Sequence, residues 1–234
     1  MSNRLLYVMF EFKIAKLWDG TALSIDDQVS ISIEVGSADL PDPVLIVSVD
    51  APFYNEPEPA GLGKKNLDGL WNHEVVELFI KGRHDKYLEI EMGPHGHYLV
   101  LVCDGYRQCF SRGIEPISYQ ASITESRWTG TMTIPLHLLP PSTDIPSARY
   151  SFNAYAIHGL EPERMYAALY GPRKAEGDYA VADFHKLELF EHFPLTLPST
   201  EQVSVWEGRS SISVDNVFQK ASLDIGEESP RLRE

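Results

Sequence analysis

Alternating apolar and polar residues dominate the readable parts of the chain, and this pattern predicts β-strands. In the segment 29–35, Val29, Ile31, Ile33 and Val35 alternate with serines and a glutamate, so one face of this strand is expected to be buried. The same alternation, or a short apolar run, recurs in eight further segments that we predict to be strands: 45–49, 75–80, 87–92, 97–103, 117–123, 128–134, 152–158 and 165–170.

Turn residues separate these strands, and two of the connections predict β-hairpins. Gly-Pro-His-Gly at 93–96 is short and rich in turn residues, and a second hairpin is expected between 117–123 and 128–134. No segment keeps a 3.6-residue apolar period, so helix is limited to single turns such as 136–139. Short strands separated by 16 prolines and 16 glycines are typical of an antiparallel β-sandwich or barrel.

The strand pattern also indicates how the chain is organised. We predict one sandwich domain over residues 1–207, with long loops at 52–69 and 172–183. The remaining segment is rich in serine and then in charge, so 208–234 is expected to be a disordered tail.

Charge and targeting signals narrow the possible partners and compartments. The 234 residues include 34 acidic and 20 basic side chains, a formal charge of −14 that argues against nucleic acid or an anionic membrane as a partner. The apolar stretch 5–10 is too short for a secretory signal, and no apolar segment approaches the roughly 20 residues of a membrane span. We therefore expect a cytoplasmic protein, although Cys103 and Cys109 are both available to pair.

The segment 73–77, His-Glu-Val-Val-Glu, resembles part of a zinc-protease motif but lacks the second histidine and favours a strand. On a strand, Glu77 shares a face with Val75 and Phe79, while Glu74 lies opposite. A carboxylate among apolar neighbours must be solvated in a groove or hydrogen-bonded. Glu77 is therefore either a structural acceptor or a ligand contact.

Histidines provide the remaining candidate chemistry. His95 and His97 lie two residues apart at a turn, and a metal site would require the fold to bring Glu89, Glu91 or His158 close to them. The alternative is that these histidines stabilise the turn or line a groove. His185 is likewise either a ligand contact or a local hydrogen-bonding residue. No nucleotide-binding or nucleophile-elbow motif is present, so no cofactor is predicted.

Five blocks, taken in order, resemble the family 9-like carbohydrate-binding modules, which are β-sandwiches related to the DOMON superfamily. They are Trp-Asn-His-Glu-Val-Val-Glu-Leu-Phe-Ile (71–80), Tyr-Leu-Glu-Ile-Glu-Met-Gly-Pro-His-Gly (87–96), Trp128 with Ile134-Pro135, Phe-Asn-Ala-Tyr-Ala-Ile-His-Gly (152–159) and Asp-Phe-His-Lys-Leu-Glu-Leu-Phe (183–190). A metazoan family that includes a human chromosome-4 open-reading-frame product is closer still. It shares Trp-Asp-Gly (18–20), Ala-Pro-Phe (51–53), Pro-His-Gly (94–96) and Ala-Ile-His-Gly (156–159).

The resemblance implies a single, jelly-roll-like antiparallel β-sandwich with a sugar site. That site would combine an acidic contact, a stacking aromatic and further polar and aromatic groups: Glu77, Trp71, His158 and Tyr170. We add His97 and His185 as further candidate contacts. The predicted function is non-catalytic binding of a saccharide or a similarly polyhydroxylated small molecule.

Two alternative functions belong to other classes. A metal- or carboxylate-dependent hydrolase would use His95, His97, Glu89 and Glu91. A protein-interaction scaffold is expected instead if the candidate sugar site is filled by the protein's own side chains.

Overall fold

Two antiparallel sheets form the chain's framework in the computed structural model, which describes residues 8–36, 43–60, 65–143, 149–195 and Trp206. The strands are β1 Val8–Ile14, β2 Val29–Gly36, β3 Val44–Pro52, β4 Val75–Lys81, β5 Lys86–Met92, β6 Tyr98–Asp104, β7 Cys109–Arg112, β8 Ser118–Thr124, β9 Arg127–Pro135, β10 Tyr150–His158, β11 Met165–Ala168 and β12 Glu191–Phe193. Single 3₁₀ turns occupy Leu70–Asn72, Arg83–Asp85, Leu136–Leu138, Gly177–Tyr179 and Leu187–Leu189.

Strand order defines a five-stranded and a seven-stranded sheet. The first runs β1-β2-β3-β9-β8, and the second runs β11-β10-β4-β5-β6-β7 with β12 also paired to β10. On β10, the residues from Tyr155 to His158 pair with β11, and those from Tyr150 to Phe152 pair with β12. The predicted all-β antiparallel sandwich is confirmed.

The main core lies between the two sheets and follows the period of two along each strand. Ile33 and Leu45 from the five-stranded sheet and Leu78 and Ile90 from the seven-stranded sheet are completely buried in it. Trp206 joins the same core, and its indole Nε1 donates to the carbonyl of Leu138 at 3.4 Å. Alternation therefore fixes which side chains of each strand hold the sheets together.

A second apolar cluster covers the outer face of the seven-stranded sheet. Strand residues such as Phe79 and Tyr155 pack there against loop residues that include Trp18 and Phe184. The rings of Tyr155 and Phe184 stack with centroids 3.9 Å apart, and Trp18 Nε1 donates to the carbonyl of Tyr179 at 2.8 Å. The middle strands are consequently buried on both faces, as the apolar segment 97–103 predicts.

All nine predicted strands are present, along with both predicted hairpins and the helical turn near 136–139. Three strands were not predicted. The first, β1, overlaps a segment examined only as a possible targeting signal, while β7 and β12 have four and three residues, too few to show a period. The structure also joins Cys103 to Cys109 in a disulfide across β6 and β7.

The predicted tail and the predicted absence of a membrane span concern the ends and the helices of the chain. The proposed tail, 208–234, lies outside the described residues, so it stays a prediction together with the domain boundary at 207. None of the described helical turns has the length and apolar character of a membrane-spanning helix.

Two isoleucines of the five-stranded sheet test the inner core. Ile33 on β2 is 0% exposed, and Ile123 on β8 is 38% exposed. We expect Ile33→Ala to lower the free energy of unfolding by about 2–5 kcal/mol, because truncation removes buried methylenes and leaves a cavity. Ile123→Ala removes the same atoms from a partly hydrated site and is expected to cost less than about 1 kcal/mol. Urea denaturation of both variants measures the difference, and equal losses would contradict this description of the core.

Candidate functional site

An open cleft of about 560 Å³ lies on the outer face of the seven-stranded sheet. Its floor comes from neighbouring strands and includes Glu77 of β4, Glu89 of β5, Leu101 of β6 and Ile157 of β10. Its walls come from the 70–72 turn, the β6–β7 hairpin, the β10–β11 loop and the segment 182–185, which contribute Trp71, Arg107, Arg112, Leu160, Arg164 and His185 among others. The cleft is thus a rigid sheet surface enclosed by loops.

Three glutamates lie on the floor face of adjacent strands. Glu77 is directly opposite Glu91 in the β4–β5 register, and Glu89 is opposite Phe79. Each of these residues is at most 3% exposed. The carboxyls of Glu89 and Glu91 contact each other and can share a proton. Apart from that contact, no described residue hydrogen-bonds Glu77 Oε1, Glu89 Oε2 or either oxygen of Glu91.

Burial determines the protonation of these carboxyls. It raises the pKa of Glu89 to about 8, partly opposed by the guanidinium groups of Arg107 and Arg112. Burial likewise raises the pKa of Glu77 and the pKa of Glu91 well above the usual range, and the charges of neighbouring glutamates raise both further. At neutral pH the floor therefore favours protonated carboxyls, which can donate as well as accept a hydrogen bond.

Two arginines of the wall are paired with acids of other segments. Arg107 Nη2 lies 2.9 Å from Asp183 Oδ1, and Tyr106 donates its hydroxyl proton to the second oxygen of the same carboxylate at 2.8 Å. Arg112 Nη2 lies 3.0 Å from Asp68 Oδ1. These contacts tie the β6–β7 hairpin to the loop at 183 and to the segment before the 70–72 turn.

Arg164 holds the opposite wall by donating to four backbone carbonyls. Its Nη2 donates to Trp71 at 2.6 Å and to His73 at 3.2 Å, and its Nη1 donates to Gly159 at 2.7 Å and to Asn72 at 3.2 Å. A single guanidinium therefore fastens the β10–β11 loop to the turn that carries Trp71. This arrangement fixes the height of the Trp71 backbone above the floor.

Trp71 provides a flat apolar surface at the rim of the cleft. Its side chain remains 37% exposed, with the guanidinium of Arg112 5.7 Å from the ring centre. Leu160, also on the cleft wall, is 69% exposed. Exposed apolar groups beside buried polar ones are the usual composition of a small-molecule site.

His185 is held as a neutral imidazole. The Tyr87 hydroxyl accepts from the Arg107 backbone N–H at 3.2 Å and forms a hydrogen bond with His185 Nδ1, 2.7 Å away. Burial, with the nearby charge of Arg107, lowers the pKa of His185 to about 4. A neutral imidazole carries one ring proton, so Nε2 donates in the tautomer in which Nδ1 accepts from Tyr87 and accepts in the other tautomer.

Among the sequence candidates, Trp71, Glu77 and His185 line this cleft, whereas His158 and Tyr170 do not. His158 follows Ala156 in the alternation of β10 and so lies on the inner face, opposite to Ile157. There it stacks on Tyr54 with ring centroids 3.4 Å apart, and burial lowers its pKa to about 4.

Tyr170 lies beyond the end of β11 and packs against the core between the sheets. Its carbonyl accepts a hydrogen bond from Asn153 Nδ2 at 2.9 Å. The four residues expected to form one sugar site are therefore divided between the two faces of the seven-stranded sheet. His158 lies on the inner face because successive side chains of a strand point to opposite faces of the sheet. Tyr170 follows the end of β11, where the chain has left the sheet and turns toward the core.

The histidines proposed for a metal site lie apart from the cleft. His95 and His97 line a small pocket together with Glu56 and Glu74, and His95 Nε2 is 2.9 Å from the Glu56 carbonyl oxygen. Their imidazoles are not brought together with the floor carboxyl of Glu89.

One group within the described ranges has metal-ligand spacing. It consists of Glu89, Cys103 and Cys109, whose ligand atoms lie within 4.8 Å of one another, but the two sulfurs are bonded to each other.

Sequence reasoning did not identify the arginines of the cleft. Arg164 acts through carbonyls about 90 positions away in the chain, so no local pattern indicates it. The sequence does indicate that Glu89 and Glu91 share a face of β5, because they alternate with Leu88 and Ile90. In the structure, that face is the one that forms the floor of the cleft.

No family model matches the chain. The chain is 35% identical to the human UPF0462 protein C4orf33 over 187 residues, an alignment that covers 78% of this chain and 87% of the human protein. It is also 35% identical over 189 residues to the zebrafish (Danio rerio) homolog, and that alignment covers 79% of this chain and 89% of the zebrafish protein.

Solved structures show similarity at the level of the fold. A Bacteroides uniformis crystal structure described as a "putative carbohydrate-binding protein" aligns with a TM-score of 0.50 and 13% identity, covering 78% of this chain and 84% of that one. A family 9 carbohydrate-binding module from Caldicellulosiruptor kristjanssonii, in complex with cellotriose, aligns with a TM-score of 0.35 and 10% identity, covering 64% and 68%. The first alignment agrees with the sandwich fold expected from the resemblance.

Replacing Arg164 tests its role in holding the cleft wall. Arg164→Lys keeps the charge but loses the planar fork, so the carbonyls of Trp71 and His73 lose their shared donor. We expect a loss of about 1–3 kcal/mol in the free energy of unfolding and faster amide hydrogen exchange within 70–73. Arg173→Lys, at an exposed loop position, is the control and is expected to change neither quantity. Unchanged exchange in Arg164→Lys would contradict the proposed clamp.

The buried floor carboxyls predict an unusual dependence of stability on pH. The pKa of Glu89 is about 8 when folded, against about 4.3 for an ordinary Glu, so the folded state binds more protons between these values. Its contribution to stability is therefore full below about pH 4 and is lost as the pH rises toward 8. We expect Glu89→Gln, which mimics the neutral acid, to gain on the order of 2–4 kcal/mol relative to wild type between pH 5 and 8.

Denaturant titrations at several pH values measure this difference, and comparing variant with wild type cancels the contributions of His158 and His185. Glu11→Gln, at an exposed position of β1, is the control. Parallel pH profiles for Glu89→Gln and wild type would show that Glu89 titrates normally.

Proposed function

The chain belongs to the UPF0462 family of C4orf33-like proteins, and from its cleft we propose that it binds a saccharide or similarly polyhydroxylated small molecule without catalysis. The observation that carries this proposal is the placement of Trp71, fixed by Arg164 at the rim above a floor of buried polar groups. The likeness to a structure described as carbohydrate-binding adds support at the level of the fold.

The chemistry of the cleft is suited to sugar rings. A sugar presents an apolar C–H face, which can stack on the exposed indole of Trp71, and hydroxyls that both donate and accept. Protonated carboxyls at Glu77 and Glu89 have the same dual capacity, and His185 Nε2 is a further hydrogen-bonding group. The volume of about 560 Å³ is within the roughly 300–1,000 Å³ usual for small-molecule sites.

Two observations favour binding over hydrolysis. Hydrolysis by paired carboxyls requires one of them to be ionised while the other is protonated. Here burial raises the pKa of all three floor glutamates, which disfavours an ionised base at neutral pH. The metal-dependent version is weakened by the separation of His95 and His97 from Glu89.

The openness of the cleft favours a small ligand over a protein-interaction scaffold, because the protein's own side chains do not fill it. Exclusion of nucleic acid stays a prediction based on the charge of −14. A cytoplasmic location also stays a prediction. The Cys103–Cys109 disulfide weighs against it, since disulfides persist mainly in oxidising compartments.

Trp71→Ala is the direct test of the proposed stacking contact. After a glycan array has identified a binding saccharide, calorimetric titration is expected to show at least about tenfold weaker binding by the variant, equivalent to about 1.4 kcal/mol. Tyr170→Phe, which alters an aromatic residue outside the cleft, is the matched control and is expected to bind within about twofold of wild type. Failure of the intact protein to bind any saccharide on a broad array would overturn the proposed function.

A further inference from the structure

The floor of the cleft carries acidic groups that the protein itself leaves without partners. Like charges placed directly opposite in an antiparallel pair are unfavourable, and Glu77 faces Glu91 in that way. Buried polar atoms in native proteins are nearly always hydrogen-bonded, yet Glu77 Oε1 has no partner in the described chain, and Glu89 Oε2 has none apart from the contact with Glu91. Both residues line the open cleft, so a ligand can supply the missing hydrogen bonds.

The arginines of the walls do not supply the hydrogen bonds that the floor carboxyls of Glu77 and Glu89 lack. Arg107 and Arg112 form ion pairs with Asp183 and Asp68 at 2.9 and 3.0 Å. Arg164 directs its guanidinium to backbone carbonyls. The guanidinium contacts found in the described residues therefore go to wall groups, and none goes to the two unpartnered floor oxygens.

We propose that the ligand of this cleft carries a primary ammonium group, as an amino sugar does, and that this group lies on the floor between Glu77 and Glu89. The inference rests on the proposed function, because it concerns the same cleft and the same class of polyhydroxylated ligand. It adds the charge of the ligand and the residues that recognise it.

The geometry of the strands suits an ammonium group. Glu77 and Glu89 are diagonal neighbours on adjacent strands, a relation that places Cα atoms roughly 7–8 Å apart and keeps long side chains within mutual reach. An ammonium has three donors and a compact charge, so it can donate to both carboxyls at once. Its charge favours the ionised form of both groups, so the protons that they carry in the free protein are released when it binds. A hydroxyl carries no charge, so it binds the protonated carboxyls without ionising them.

The rim favours an organic cation over a metal ion. Trp71 and Leu160 expose apolar surface in the same cleft, and a bare ion gains nothing from it. An amino sugar uses both parts of the site, because its ring can stack on Trp71 while its amine contacts the floor.

Three trisaccharides with the same β-1,4 backbone test the proposal: the trimers of glucosamine, N-acetylglucosamine and glucose. The three trimers differ at the C2 substituent. Only the glucosamine trimer carries ammonium groups, provided that the pH is below the pKa of its amines. In calorimetric titrations of the full chain, we expect the glucosamine trimer to bind at least about tenfold more tightly than either neutral trimer. Added NaCl should reduce this preference, because charge-assisted contacts are screened by salt.

Variants assign the preference to the floor. Glu77→Gln and Glu89→Gln each retain the size and neutral hydrogen bonding of the protonated acid, and each is expected to reduce the preference to about threefold or less. Glu11→Gln, on the opposite sheet, should leave it unchanged. Thermal unfolding of each variant checks that the fold is intact, and the salt dependence of wild type provides an independent measurement if a variant does not fold.

The outcomes separate this inference from the proposed function. Equal binding of all three trimers would overturn the ammonium site and leave saccharide binding in place. If none of the trimers binds while other neutral glycans bind on the array, the ammonium site is likewise overturned and saccharide binding is retained. Displacement of the glucosamine trimer by calcium, magnesium or zinc chloride would overturn the proposal in favour of a metal ion on the floor.

Discussion

Burial of both faces of the central strands is the constraint on which the rest of the structure depends. The inner faces of β4, β5 and β6 pack against the five-stranded sheet, so the apolar residues of the outer faces, such as Phe79, Tyr87 and Leu101, require a separate cover. Loop residues such as Trp18, Phe184 and Phe190 provide that cover. The cleft opens where it is incomplete, which explains why its floor consists of strand residues and its walls of loops.

This arrangement makes the walls depend on polar contacts. Loops lack the regular backbone hydrogen bonds that join neighbouring strands. Instead, Arg164 and the Arg107–Asp183 ion pair connect wall segments that are far apart in the chain. Arg164 binds carbonyls, which it can do without competing for the floor carboxyls. The cleft walls are consequently fixed by the protein's own contacts, so a ligand of the proposed kind would bind with a smaller loss of conformational entropy.

Local alternation predicts strands such as β2 and β9 well, because their inner and outer side chains differ over eight or nine residues. It also places Glu77 on the same face as Val75 and Phe79, as the structure confirms. The resemblance to carbohydrate-binding modules groups His158 with Glu77, but the two residues lie on opposite faces of the sheet. Alternation alone does not show which face of a strand points toward the other sheet. Contacts such as that between Arg164 and Trp71 arise from tertiary structure alone, and no local signal in the chain indicates them.

The edges of the seven-stranded sheet have a consequence for how the protein behaves among other chains. An exposed edge strand offers a row of unpaired backbone groups, on which a second molecule can add a strand and start aggregation. Here one edge is β7, with four residues, and the other is divided between β11 and β12, with four and three. The long apolar strands β4, β5 and β6 are kept inside, so the sheet that carries the cleft offers other chains little continuous template for intermolecular pairing.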